Sequence, residues 1–343
     1  DQIDILNQDY RRTNPNADET REVFMDRAAD AEIQFVLADV DPNGNPTNGI
    51  TRTLTTIDFE LDLFQGDGTI DIVKKNSSGG KDAWNTKEYL NIWVCNIQSG
   101  FLGQVFGYAY PPDGLSNWPD DSSASAPELE GLVLHYTAVG SNNPVAGDDD
   151  FDLNDGGRTA THEVGHYLGL RHTWGDAFFD GCTVDDGIDD TPNAASSANF
   201  TCDYEKDTCN EDDEPDMVEN FMDYSTDDCL NLFTKGQVSH MRSVIEIYRS
   251  DLVDNVSSLS LEEMSEKVTF YPNPTQESVT FQNDATQAFE IVIIDVLGKG
   301  VMDFTLSSNS KKAIDSTQLL SGVYIVNWYR NGTLVHQQKL NKI

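Results

Sequence analysis

Positive charge is what this sequence has least of. Its 343 residues carry 22 Lys and Arg against 59 Asp and Glu, a formal net charge of −37 at pH 7. So acidic a chain repels nucleic acid and suits cations or cationic peptides as partners. No apolar run approaches the ~20 residues that cross a bilayer, so no transmembrane segment is expected. No charged-then-apolar leader opens the chain, which therefore reads as processed or truncated. CxxC pairs are missing as well. Four of the five cysteines, Cys182, Cys202, Cys209 and Cys229, fall within 48 residues rich in Asp, Asn, Thr and Gly. Clustered in that way they point to two disulfides rather than a zinc knuckle, and so to an oxidising compartment outside the cytoplasm. Cys95, alone in NIWVCNI, reads as a small apolar side chain.

The acidity is unevenly spread. From Ser257 onward nine Asp and Glu stand against seven Lys and Arg, which leaves about −35 of the −37 on the preceding part. Between Asp176 and Asp228 there are 18 Asp and Glu, and Lys206 is the only Lys or Arg. Those carboxylates read either as solvated surface or as ligands of a hard cation such as calcium.

Hydrophobic spacing then divides the chain. DQIDILNQDY places Ile3, Leu6 and Tyr10 on one helical face. IQFVLAD (33–39), TRTLTTIDF (51–59), LNIWVCNI (90–97) and LEGLVLHYTAV (129–139) are β-branched and aromatic enough to predict strands. A helix follows over 158–168, then an irregular stretch over 173–231, then an amphipathic helix over 233–252. VSSLSLEEMSE (256–266) is a polar linker. Beyond it the period becomes two, and Asn331-Gly332 and Leu297–Gly300 mark hairpins. Residues 267–343 are therefore predicted to form a small antiparallel β-sandwich, behind an α/β domain over 1–255.

The chemistry lies in THEVGHYLGLRHTWG (161–175). On a helix turning about 100° per residue, His166 sits about 40° from His162, one turn above it on the same face. Ala160, Val164, Tyr167 and Leu168 cluster on the opposite face, which is expected to pack on the core. His172 is ten residues from His162 and joins the pair only if the helix stops and the chain doubles back. Gly169 allows that stop, because it takes the positive-φ conformation that ends helices. Three neutral imidazoles with an open fourth position describe catalytic zinc. Glu163 beside them is the expected general base and acid. His135 and His240 read as structural.

HEVGHYLGLRH resembles the HExxHxxGxxH signature of the metzincin metallopeptidases, and NFMDYS (220–225) resembles their Met-turn. Within that clan DPNGNPTNGITR (41–52), GRTATHEVGHYLGLRHTWG and NFMDYSTDDCLNLFT look like the pappalysin family, specifically its ulilysin-like members, over about residues 1–250. The resemblance implies a twisted mixed sheet with an active-site helix, Met222 as an apolar floor under one zinc, and Tyr224 near the metal. It implies disulfides Cys182–Cys209 and Cys202–Cys229, one of the three pairings four cysteines allow. It also implies structural calcium, with Asp186, Asp190 and Thr191 the best-placed ligands, and Asp227 as an acid in the pocket just beyond the scissile bond. That family opens its catalytic domain with a strand ahead of the first helix and a propeptide before it. Residues 1–10 read as helix, so the N-terminal strand is expected to be missing.

YPNPT (271–275), IIDVLGKGV, LLSGVYIV and QKLNKI resemble the C-terminal sorting domain of proteins exported by the type IX secretion system. The expected protein is a secreted zinc endopeptidase that cuts proteins or peptides on the amino side of Arg or Lys. The strand LEGLVLHYTAV is its expected upper rim for an extended substrate. The competing class is a calcium-stabilised extracellular binding or adhesion protein whose zinc is structural.

Overall fold

In the computed structural model two compact units form, Asp1–Val253 and Asp254–Ile343. The structure describes residues 1–57, 59–60, 71–98, 104–145, 155–176, 181–209, 214–254, 268–285, 287–295, 300–330 and 333–343. The expected linker over 256–266 and both hairpin turns lie wholly or mainly outside those residues.

The first unit runs α1 (Gln2–Tyr10), α2 (Glu22–Met25), β1 (Phe59–Glu60), β2 (Ile92–Cys95), β3 (Ile97–Gln98), β4 (Gly107–Ala109), β5 (Leu132–His135), α3 (Arg158–Tyr167), α4 (Lys235–Tyr248) and α5 (Ser250–Asp254). One sheet has the order β2-β5-β4, with β2 parallel and β4 antiparallel to β5. A second pairs β1 parallel to β3. The mixed sheet packs on α3 through Leu132 and Leu134, which join Ala160, Val164, Tyr167 and Leu168 in the main core. Such fully buried aliphatic side chains each contribute about 1.5–3 kcal/mol.

Helix α1 is anchored to the same helix by polar contacts. The Tyr10 hydroxyl donates to Thr161 O at 3.1 Å, and the Thr161 hydroxyl donates to Asp9 Oδ2 at 2.6 Å. Helix α4 starts at a full capping box. Thr234 Oγ1 accepts from the Gln237 N–H at 3.1 Å, and Gln237 Oε1 accepts from the Thr234 N–H at 2.9 Å. Caps of this kind stabilise a helix by about 1 kcal/mol.

Two expectations fail here. Residues 33–39 and 51–57 form no strand, and only Phe59–Glu60 at the end of the second run pairs. Val36, Leu37, Leu54 and Ile57 are exposed, Leu54 by 98%, whereas Ile33 and Phe35 pack on the main core. The backbone near Phe35 is held by Asn7 instead, which donates to Phe35 O at 3.0 Å and accepts from the Phe35 N–H at 2.6 Å. β-Branched content favours a strand only where a neighbouring strand completes the ladder, and among the described residues none does. The second failure is the rim. β5 lies between β2 and β4, so both its edges are occupied, and among the described residues the edge strands of this sheet are β2 and β4.

The second unit has β6 (Val268–Tyr271), β7 (Ser278–Asn283), β8 (Phe289–Asp295), β9 (Gly300–Leu306), β10 (Ser310–Asp315), β11 (Gly322–Arg330) and β12 (Thr333–Lys342). These form antiparallel sheets of order β10-β7-β6 and β12-β11-β8-β9. Val279, Phe281, Ile291, Ile293 and Trp328 fill the core between them, as the period of two requires.

Candidate active site

The histidines converge because α3 ends where Gly169 permits. Gly169 has φ +86°. The Leu170 N–H donates to Gly165 O at 2.9 Å and the Gly169 N–H to His166 O at 2.8 Å, the paired bonds of a Schellman cap. The freed Gly169 carbonyl accepts from Asn117 Nδ2 at 3.0 Å, Trp118 Nε1 at 2.9 Å and His240 Nε2 at 3.1 Å. His240 thus holds the turn, a structural task. The chain then reverses and brings His172 back over α3. The helix is buried on every side rather than on one face, since all ten of its residues are enclosed.

Each imidazole is fixed through Nδ1. That of His162 donates to Phe221 O at 2.8 Å, that of His166 to Leu170 O at 2.8 Å, and that of His172 to Asp176 Oδ1. With Nδ1 protonated, every Nε2 keeps a lone pair. Nε2 of His172 lies 3.1 Å from Nε2 of both His162 and His166. Lone pairs so close repel one another, and a cation relieves that repulsion. Nitrogens at ~2.0–2.1 Å from a tetrahedral zinc stand ~3.3 Å apart, so the donor set fits that ion. Burial first, then the neighbouring imidazoles, hold His162 well below its usual pKa, and burial and His172 hold His166 down to about 3. Both are therefore neutral, as metal ligands must be. Among the described residues this is the one group of three or more His, Cys, Asp or Glu placed to share an ion.

Glu163 lies beside the triad, and burial pushes its carboxyl up to about 8. Its Oε2 is buried without a hydrogen-bond partner among the described residues. Space for it comes from Gly107 on β4, where a Cβ would fall 2.8 Å from Glu163 Cγ. Met222 packs under the helix against Gly165. Its loop is set by the Asn220 side chain, which accepts the Met222 N–H at 2.9 Å and pairs with Gln237 at 2.8 and 3.0 Å. Tyr224 follows, its ring centroid 5.4 Å from that of His162 and 4.7 Å from that of His172.

Other expected residues are placed further from the histidines. Asp227 is buried at the N-terminal end of α3, where its Oδ2 accepts from the Gly156 N–H at 2.9 Å and the Arg158 N–H at 3.1 Å. Burial pushes its carboxyl up to about 7. Asp186 is buried too and likewise pushed up to about 7. Thr191 Oγ1 donates to Asp186 at 2.9 Å, whereas Asp190 accepts from Thr234 Oγ1 at 2.6 Å and the Gly236 N–H at 2.9 Å. Asp190 thereby braces the start of α4. Cys182 is bonded to Cys209 and Cys202 to Cys229, and Cys95 is the free cysteine.

Sequence reasoning missed Asp176, Gly107, Gly165 and Asp223. Asp176 had a signal, four residues after His172 in HTWGD. Asp223 joins two loops by accepting from the Ala198 N–H at 2.8 Å and from Thr173 Oγ1 at 3.3 Å. Gly107 and Gly165 gave no signal, because each matters through a neighbour distant in sequence.

Residues 74–246 match the family profile described as Pregnancy-associated plasma protein-A. Residues 269–342 match the Secretion system C-terminal sorting domain. An extracellular metalloprotease of Sordaria macrospora is 33% identical over 206 residues, covering 60% of this chain and 63% of that protein. One of Arthroderma benhamiae is 43% identical over 120 residues, 35% of this chain and 39% of that protein. The chain thus spans less than two thirds of the length of these curated relatives. A solved structure of Tannerella forsythia mature mirolysin in complex with a cleaved peptide is 40% identical, with a TM-score of 0.62 over 73% of this chain and 86% of that one. The sorting tail and the extracellular relatives mark a secreted or cell-surface protein, and no described helix is long and apolar enough to cross a membrane. With the profile matched over half of its length and the three histidines gathered at one point, the chain belongs to the pappalysin family of metzincin zinc peptidases.

Proposed function

We propose that this protein is a secreted zinc endopeptidase. The observation that carries the reading is Glu163 itself, a buried carboxyl group whose Oε2 has no partner among the described residues, beside three convergent imidazoles. A purely structural zinc site has no use for such a group, which disfavours a binding or adhesion protein. His162, His166 and His172 hold the ion. When bound, zinc supplies Lewis-acid polarisation of a carbonyl and makes water a nucleophile near neutral pH. Glu163 takes a proton from the attacking water and returns it to the leaving amine nitrogen, a task suited to a carboxyl whose pKa is raised towards neutrality. Tyr224 donates a hydrogen bond to the scissile carbonyl oxygen as negative charge grows there. The edge strand β4, paired only with β5 among the described residues, offers main-chain groups to an extended substrate.

Asp227 supports cleavage on the amino side of Arg and Lys. It caps the start of α3, the helix that carries His162, and its Oδ1 takes no hydrogen bond among the described residues. A guanidinium pairs with such an oxygen in a desolvated pocket better than an ammonium does. Calcium is assigned to the turn carrying Asp186, Asp190 and Thr191, where a cation offsets the cost of the buried Asp186 carboxylate. Residues 1–255 act as the peptidase, 256–266 as linker and 267–343 as the tail read by the secretion machinery. The test is casein hydrolysis by purified protein before and after chelation. Activity lost with the metals, restored by zinc and not by calcium alone, is the expected result; no hydrolysis by the zinc-loaded protein sinks the reading.

A further inference from the structure

The Tyr224 ring, 38% exposed, is packed by other rings rather than tied by its polar end. His162, His172 and Trp174 lie against it at centroid distances of 5.4, 4.7 and 4.9 Å. Its hydroxyl makes no hydrogen bond among the described residues, so ring packing alone sets where it points. A fourth ring, Phe200, lies parallel to Tyr224 within 5° at 6.0 Å. Phe200 comes from the acidic stretch after His172 and is 36% exposed, so core burial does not explain it.

Its backbone is held under strain. The Thr201 N–H donates to Ala198 O at 3.2 Å, closing a turn over Asn199 and Phe200. Both central residues are left-handed, with φ +52° and +58°. Turns of this primed kind favour Asn followed by Gly, and a ring-bearing side chain at the second position is costly. The surroundings nevertheless impose it. The Phe200 N–H donates to Tyr224 O at 2.7 Å, the Ala198 N–H donates to Asp223 Oδ1 at 2.8 Å, and Cys202 is bonded to Cys229. Strain kept in place at such cost accumulates at functional sites.

We propose that Phe200 is a positioning residue for Tyr224: the strained turn holds its ring against the outer face of the tyrosine and keeps the phenol over His162 and His172. This rests on the role proposed above for Tyr224. Without Phe200 the tyrosine ring turns outward, and its hydroxyl leaves the place where charge develops. Substrate contacts along β4 are untouched, so the loss falls on kcat rather than KM.

The test compares Phe200→Ala, Phe200→Gly, Phe200→Leu, Tyr224→Phe and the double variant Phe200→Ala/Tyr224→Phe, all as zinc-loaded full chains on one peptide substrate. Tyr224→Phe is expected to lose about 10²-fold in kcat. Phe200→Ala and Phe200→Gly lose about 10-fold, with KM changed less than about twofold, and the double variant is no slower than Tyr224→Phe. Phe200→Leu, which keeps bulk, recovers part of the loss. Phe200→Gly melts above Phe200→Ala, because glycine relaxes the left-handed turn, yet it is equally slow. The inference is overturned if the two single losses multiply in the double variant, if KM rises in place of the kcat loss, or if kcat simply follows the melting temperature. A Tyr224→Phe enzyme of wild-type kcat overturns the role of the tyrosine, and this inference with it.

Discussion

Met222 occupies the space where Gly165 would carry a side chain. A Cβ on Gly165 would overlap the Met222 Sδ, with the Cε at 3.2 Å. The small residue inside HEVGH is therefore a packing requirement: the loop holding Tyr224 reaches the zinc helix only because the helix is bare there. Gly165→Ala gains about 1 kcal/mol in helix propensity. Overpacking costs about 1–3 kcal/mol, and both residues are fully enclosed, so the cost wins. A lowered melting temperature together with weakened zinc retention on dialysis checks this.

Gly107 plays the matching part from the sheet. Its Cβ would lie 2.8 Å from Glu163 Cγ and 3.0 Å from Oε1. Gly107→Ala is expected to bind zinc stoichiometrically while kcat falls about 10²-fold, because a displaced proton acceptor is penalised steeply. Steady-state kinetics with metal analysis on one preparation separates this from loss of the ion.

The site was legible where the signal is local. Two histidines one turn apart, a glycine that ends the helix and a third histidine beyond it fix a metal centre from spacing alone, and the Schellman cap at Gly169 is what that spacing demands. The closing helix was legible for the same reason, through its amphipathic spacing over 233–252. What spacing conceals is contact between distant segments: Gly107 against Glu163, Met222 against Gly165, Phe200 against Tyr224. The strands expected over 33–39 and 51–57 failed from the same cause, since a strand exists only with a partner and neither stretch finds one among the described residues. Likewise β5 looked like a rim until β4 was seen to cover its edge.

Asp227 gives a pH dependence with a definite sign. Burial raises its folded pKa to about 7, from an unperturbed value near 3.8, while Arg158 and Asp155 pull it in opposite directions. The native state therefore keeps the proton longer than the unfolded chain does. The stabilisation this provides is full below about pH 4 and is lost as pH rises through about 7. Asp227→Asn should flatten that part of the stability curve. In the enzyme, KM for a substrate with Arg after the scissile bond should fall between pH 6 and 8 as Asp227 ionises, and KM for a Leu counterpart should not. A preference for Arg that survives in Asp227→Asn at every pH contradicts the assignment.

Calcium is expected to raise the melting temperature by several degrees, through the turn around Asp186. Selective calcium removal followed by readdition, with zinc content monitored, reads the effect. Asp186→Asn should abolish the response, because it removes the buried charge that the cation offsets.

The account depends most on Glu163 moving the proton while the histidines alone hold the metal. The direct measurement is turnover of a zinc-loaded Glu163→Ala enzyme on a peptide substrate, with bound zinc determined on the same sample. One zinc per chain, an unchanged melting profile and a loss of at least about 10²- to 10⁴-fold in kcat is the predicted result. Wild-type-like hydrolysis by that zinc-loaded variant would contradict it.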